Sequence, residues 1–126
     1  MENPMIMDEL MTALGAEAID FPHKVECCGA YQAVDKPEII TERANQILSS
    51  AIKQGAEVVI VSCPLCSFNL DQRQKETQQK YPEFKNIPIL YFSQLLAIAL
   101  GCPQDSLRLD LHYIDPKPIL KEKGLI

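Results

Sequence analysis

A chain of 126 residues, 47% of them hydrophobic, has the length of one compact domain and enough apolar material to bury a core without disulfide staples. Its formal charge of -5, from 12 Lys+Arg against 17 Asp+Glu with no basic cluster, speaks against a nucleic-acid surface. Five cysteines are an odd number and a small share of the chain, which is the composition of metal or redox chemistry in a reducing compartment rather than of a disulfide-stapled secreted domain.

The first 23 residues hold no Lys or Arg, so Met1 opens neither a secretory nor a transit signal and the chain reads as cytoplasmic. Asn3-Pro4 reads as an N-cap followed by Pro at the first helical position. Ile6, Leu10 and Leu14 then form one stripe with Met7 and Met11 beside it, which predicts a core-packing helix over residues 4–14 that ends at Gly15. Residues 18–21 form a short strand candidate closed by Pro22. Residues 24–28, Lys-Val-Glu-Cys-Cys, read as a second strand that delivers Cys27 and Cys28 into Gly29, where the backbone can turn or approach a ligand closely.

Asp35 and Glu38 suggest a capping box around Pro37. Ile40, Ala44, Ile47, Leu48 and Ala51 then recur at helical spacing up to Gly55. The nearly continuous β-branched run over residues 57–62 is the pattern of a parallel strand covered on both faces, and it ends directly at Cys63. Pro64 suits a first helical turn, so Cys63 falls at the cap and Cys66 one turn in, both near the positive end of the helix dipole, where thiolates are stabilised. Past Phe68 the pattern turns polar, which predicts a solvated far end, and the helix stops near Tyr81-Pro82.

The longest uncharged span, residues 86–104, is broken by Pro88, Ser93, Gln94 and Gly101, so it reads as a strand over 87–92 and a short helix over 95–100 capped by Ser93, with no transmembrane segment. The tail from Asp105 is irregular, with a last turn around Leu120. The alternation of strands and helices predicts an α/β fold: a small parallel-stranded sheet with helices on both faces and the cysteine site at the carboxyl ends of the strands.

A lone C-x-x-C is a moderate signal and an adjacent Cys pair a weak one. Their combination, each closing a predicted strand of one sheet, points to a metal or cluster site more than to inert buried cysteines. Cys27, Cys28, Cys63 and Cys66 are therefore the candidate ligands. His23, four residues before Cys27, is a candidate proton donor or extra ligand, although a satisfied loop histidine is the simpler reading. His112 carries no assignable role, and Cys102 reads as a small structural residue, with a stray ligand or resolving thiol as its lesser alternatives.

Glu26-Cys27-Cys28-Gly29, the 34-residue interval before Cys63, and Ser62-Cys63-Pro64-Leu65-Cys66 together resemble the Cys-Cys-Gly (CCG) cysteine-rich domain of the heterodisulfide reductase family, in its B-type subunit. The resemblance extends to the second such domain of that B-type subunit through the predicted first helix, Phe21-Pro22-His23-Lys24 and residues 87–101. It implies a single cysteine-rich domain over residues 1–126, the second of two in the longer relatives. It also implies a non-cubane [4Fe-4S] cluster, or zinc as in other relatives, held by Cys27, Cys28, Cys63 and Cys66. The implied role is electron transfer and reduction of a disulfide such as the CoB-CoM heterodisulfide, as part of an oxidoreductase whose other subunits are the partners, peripheral to a membrane complex at most. The family pattern opens with a further upstream Cys, and residues 1–26 contain none, so the expected chain lacks that leading ligand; four thiolates suit tetrahedral zinc better than a complete non-cubane cluster.

Two rival readings use the same residues. A strand ending in Cys-Pro-x-Cys at a helix start is also the local pattern of a thioredoxin-like dithiol oxidoreductase using Cys63 and Cys66, which leaves the Cys27-Cys28 pair without a role. Four structural thiolates on zinc would instead make a non-catalytic subunit-interaction module.

Overall fold

The computed structural model describes residues 3–126; Met1 and Glu2, which belong to the opening stretch, lie outside the described residues. In chain order come helix α1 (Ile6–Ala13), helix α2 (Pro37–Lys53), strand β1 (Val59–Val61), helices α3 (Pro64–Gln72) and α4 (Gln74–Lys80), strand β2 (Ile89–Tyr91), and helices α5 (Phe92–Ala99) and α6 (Lys117–Glu122). Single 3-10 turns fall at Ala30–Gln32, Gln104–Leu107 and Leu109–Leu111.

The strands run parallel in the register Val59 to Ile89, Ile60 to Leu90 and Val61 to Tyr91. Side chains alternate across a sheet, so each strand serves two cores. On one face Val59, Val61 and Ile89 pack with Ala44, Ile47, Leu48 and Ala51 of α2 and with Leu70 of α3. On the other, Leu90 packs with Leu107, Leu109 and Leu120, and Ile60, Ala97 and Ile98 close round them. The architecture is the expected small α/β fold with helices on both faces. Each fully buried Leu or Ile contributes about 1.5–3 kcal/mol through apolar surface removed from water.

The strands expected over residues 18–21 and 24–28 do not form; residues 22–26 make turns, closed by Lys24 N–H to Phe21 O at 3.2 Å and Glu26 N–H to His23 O at 3.2 Å. Pro22 supplies no ladder donor and Val25 is half exposed, while Phe21 and Cys28 reach the core from turns rather than from a strand. Helix α1 starts two residues later than expected, at Ile6, with Met5 at the N-cap position and no side-chain cap. Helix α2 begins at Pro37 without the expected Asp35–Glu38 box; Pro37 sits in its first turn, where a missing N–H costs nothing. Its end is satisfied by Ala56 N–H to Ala51 O at 3.0 Å and Gly55 N–H to Ile52 O at 2.9 Å, with Gly55 at φ 94°, the left-handed conformation that such a terminus requires.

The helix expected to run unbroken from Pro64 divides at Arg73 into α3 and α4, and its polar half is solvated on one side only: Lys75, Glu76, Gln78, Gln79 and Lys80 are exposed as expected, while Asp71, Gln74 and Thr77 are buried. Two of these side chains reach across to other segments. Gln74 Nε2 donates to Ile87 O at 2.7 Å while its Oε1 accepts Ile87 N–H at 3.0 Å, so this side chain pairs with the backbone two residues before β2 as a neighbouring strand would. Asp71 accepts Tyr113 N–H at 2.6 Å and Ile114 N–H at 3.1 Å, which fastens the irregular tail to α3. At the start of α5, Gln94 rather than Ser93 takes the free backbone donor, from Tyr91 N–H at 2.9 Å, and its Nε2 reaches Leu107 O at 2.7 Å. Among the described residues no helix is long and apolar enough to cross a membrane.

Candidate metal centre

Strand β1 ends at Val61, and two residues later Cys63 caps α3 in an extended conformation, with Pro64 inside the first turn and Cys66 one turn further on. Cys63 is exposed and Cys66 half-buried. The backbone N–H groups of Cys66 and Leu65 point at the Cys63 sulfur and hold its pKa below the ordinary thiol value. Cys66 is the opposite case: burial, and then the neighbouring thiols of Cys28 and Cys63, push it up to about 12.

Cys27 and Cys28 arrive from the turns at residues 22–26 rather than from a strand. Gly29 takes φ 80°, which bends the backbone so that its own N–H meets Cys27 Sγ at 3.4 Å. Cys28 turns inward, 2% exposed, and its sulfur is 3.9 Å from Asn69 Nδ2 on α3. Arg43 of α2 fixes this loop by donating to Cys27 O at 3.3 Å and pairing with Glu26 Oε2 at 2.8 Å. His23 Nδ1 lies 3.0 Å from Glu26 Oε1 on the other side. His23, followed by Arg43, holds the Glu26 carboxyl below its ordinary pKa.

The fold thus brings three of the four candidate cysteines to one helix: Cys63 and Cys66 lie in the first turn of α3, and Cys28 lies against Asn69 of the same helix. Cys27 is adjacent in the chain but exposed, with its sulfur on its own turn. Among the described residues no three His, Cys, Asp or Glu side chains stand in the arrangement of a metal-binding group. His23 faces Glu26, and His112 lies 2.9 Å from Gln94 Nε2 in the tail. Cys102 follows the far end of α5, a helix of about 12 Å that starts where β2 ends, and is exposed. Reading the sequence missed Asn69 and Arg43. Asn69 is three residues after Cys66, and helical spacing puts both on one face, a signal present in the sequence; Arg43 reaches the cysteine loop only through the tertiary fold.

Residues 1–71, a stretch containing Cys27, Cys28, Cys63 and Cys66, match the profile of the CCG cysteine-rich domain. The chain belongs to the CCG cysteine-rich domain family. The CCG chain is 32% identical over 113 residues to an 8-methylmenaquinol:fumarate reductase membrane anchor subunit of Wolinella succinogenes, covering 90% of this chain and 40% of the relative. It is 33% identical over 115 residues to the B-type subunit of a ferredoxin:CoB-CoM heterodisulfide reductase from Methanosarcina mazei, covering 90% and 38%. The B-type subunit of a ferredoxin/F(420)H(2)-dependent CoB-CoM heterodisulfide reductase from Methanosarcina acetivorans matches at 32% over 115 residues, again covering 90% and 38%. The CCG chain spans about two fifths of the length of these relatives and carries a cysteine-rich domain in common with redox proteins.

Proposed function

We propose that Cys27, Cys28, Cys63 and Cys66 hold an iron-sulfur cluster and that the chain is the electron-passing second cysteine-rich domain of a heterodisulfide-reductase-like oxidoreductase, working with other subunits on a disulfide substrate such as the CoB-CoM heterodisulfide. The observation that carries this reading is the convergence on α3 at the carboxyl end of β1: Cys63 and Cys66 lie in its first turn, and buried Cys28 lies against Asn69 of the same helix. An all-sulfur donor set suits soft metals, iron-sulfur clusters and zinc. The chemistry of the group fits as well: burial, and then the neighbouring thiols of Cys28 and Cys63, disfavour an ionised Cys66, and a bound cation stabilises that thiolate.

When bound, the cluster supplies one-electron redox chemistry; the chain's own part is to orient the sulfurs and to control their access to water. Pro64 and the α3 backbone set Cys63 at the surface with two N–H donors on its sulfur. Burial of Cys28 and half-burial of Cys66 shield the inner side of the site, while Cys27 and Cys63 leave the outer side open to a partner or substrate.

Anaerobic purification followed by iron, zinc and acid-labile sulfide analysis and electron paramagnetic resonance tests the proposal. About four iron and about four sulfide per chain support the cluster. About one zinc without sulfide makes the same sulfurs a structural site and overturns the electron-transfer role. A dithiol reading is favoured by one feature, the exposed Cys63 with its depressed pKa next to the more buried Cys66. It predicts a metal-free two-electron couple that Cys28→Ala leaves intact.

A further inference from the structure

The sulfurs of this site have N–H donors of two kinds. Cys27 Sγ takes the amide of Gly29 at 3.4 Å, and Cys63 takes the amides of Cys66 and Leu65. Those are backbone groups, fixed by a turn and by the first turn of α3. Cys28, the most buried of the cysteines, is served by a side chain instead: Asn69 Nδ2 lies 3.9 Å from its sulfur, within N–H···S range.

Asn69 is itself 2% exposed, on the helix face it shares with Cys66. A carboxamide taken out of water needs a partner. Among the described residues the hydrogen bond found for the Asn69 side chain is the one to Cys28. Asparagine is also the side chain that suits the place chemically: it donates without carrying charge, whereas the isosteric aspartate would set a negative group against a thiolate, and leucine of similar size would leave the sulfur without a donor.

We infer that Asn69 is a positioning residue for the metal centre, a side-chain donor that orients the Cys28 thiolate and draws charge from its sulfur. The inference rests on the metal reading given above. Hydrogen bonds to ligand sulfur set the electronic character of thiolate centres, and outer partners of this kind are worth about 10–100-fold in metal affinity.

Cobalt(II) added anaerobically to the metal-free full chain reports on sulfur directly through its thiolate-to-cobalt charge-transfer bands. Losing the donor raises the energy of the sulfur lone pair, so Asn69→Leu is expected to move the bands to longer wavelength and to weaken cobalt binding about 10–100-fold. Leu70→Ala, a neighbouring core truncation, is expected to lower the melting temperature and leave the band position unchanged. A measurement on the unaltered protein covers the case in which Asn69→Leu does not fold: loading with cadmium-113 is expected to give a scalar coupling between the metal and an Asn69 side-chain amide proton. Wild-type protein without thiolate–cobalt bands overturns the metal reading and this inference together. Wild-type bands that are unchanged in folded Asn69→Leu, or wild-type cadmium protein without the amide coupling, overturn this inference alone.

Discussion

Cys63 and Cys66 are separated by one helical turn, yet their surroundings make them unequal. Cys63 is open to solvent with backbone donors on its sulfur, while Cys66 is half-buried against two other thiols. Cys28 is the innermost, and Cys102 lies beyond the far end of α5. We therefore expect Cys28→Ala, Cys63→Ala and Cys66→Ala each to remove most of the bound metal, as read by elemental analysis of anaerobically purified protein, and Cys102→Ala to retain the wild-type content. The four candidate cysteines were legible from spacing alone because C-C-G and C-x-x-C are local patterns. Arg43 was not, since its contact with Cys27 spans 16 residues and depends on how α2 packs. His23 was a candidate by proximity in sequence, with a satisfied loop histidine the simpler reading, and the turn at residues 22–26 directs it to Glu26 as that simpler reading expects.

Elements in this chain are held by buried polar side chains as well as by apolar stripes. Helix α2 and strand β1 were readable because periodicity in Ile, Leu and Val reports burial directly. The division between α3 and α4 was not readable, because Gln74 and Thr77 are residues that periodicity assigns to solvent. Gln74 is completely buried and satisfies both backbone groups of Ile87, which sets where β2 begins. Gln74→Ala leaves those two groups unpaired in the interior, at about 1–3 kcal/mol each. Urea unfolding is expected to show a loss of about 2–6 kcal/mol for this variant, against a change within about 0.5 kcal/mol for exposed Gln79→Ala. Equal effects of the two would show that the Gln74 pairing contributes nothing to the fold.

Across the whole molecule, two short strands join two apolar clusters, one built largely by α2 and α3 and the other by α5, α6 and the 3-10 turns of the tail. The tail reads as irregular in sequence, yet Leu107, Leu109 and Leu120 cover the second face of the sheet, held there by Asp71 and Gln94. That role was hidden because 3-10 turns impose no long hydrophobic period. If residues 3–126 fold as one unit, Leu48→Ala in the first cluster and Leu90→Ala in the second each cost about 2–5 kcal/mol and move one shared transition. Circular dichroism and tyrosine fluorescence would then report coincident midpoints in both variants; separate midpoints would mean that the clusters unfold independently.

The central claim, that the gathered cysteines hold an inorganic cofactor, meets its most direct test in the mass of the intact chain. Native and denaturing mass spectra of anaerobically isolated protein should differ by the mass of an iron-sulfur cluster, and the difference should vanish when Cys27, Cys28, Cys63 and Cys66 are all replaced by alanine. Equal masses in the two spectra at the 14.1 kDa of the bare chain, or of a chain two hydrogens lighter from a Cys63–Cys66 disulfide, would contradict it.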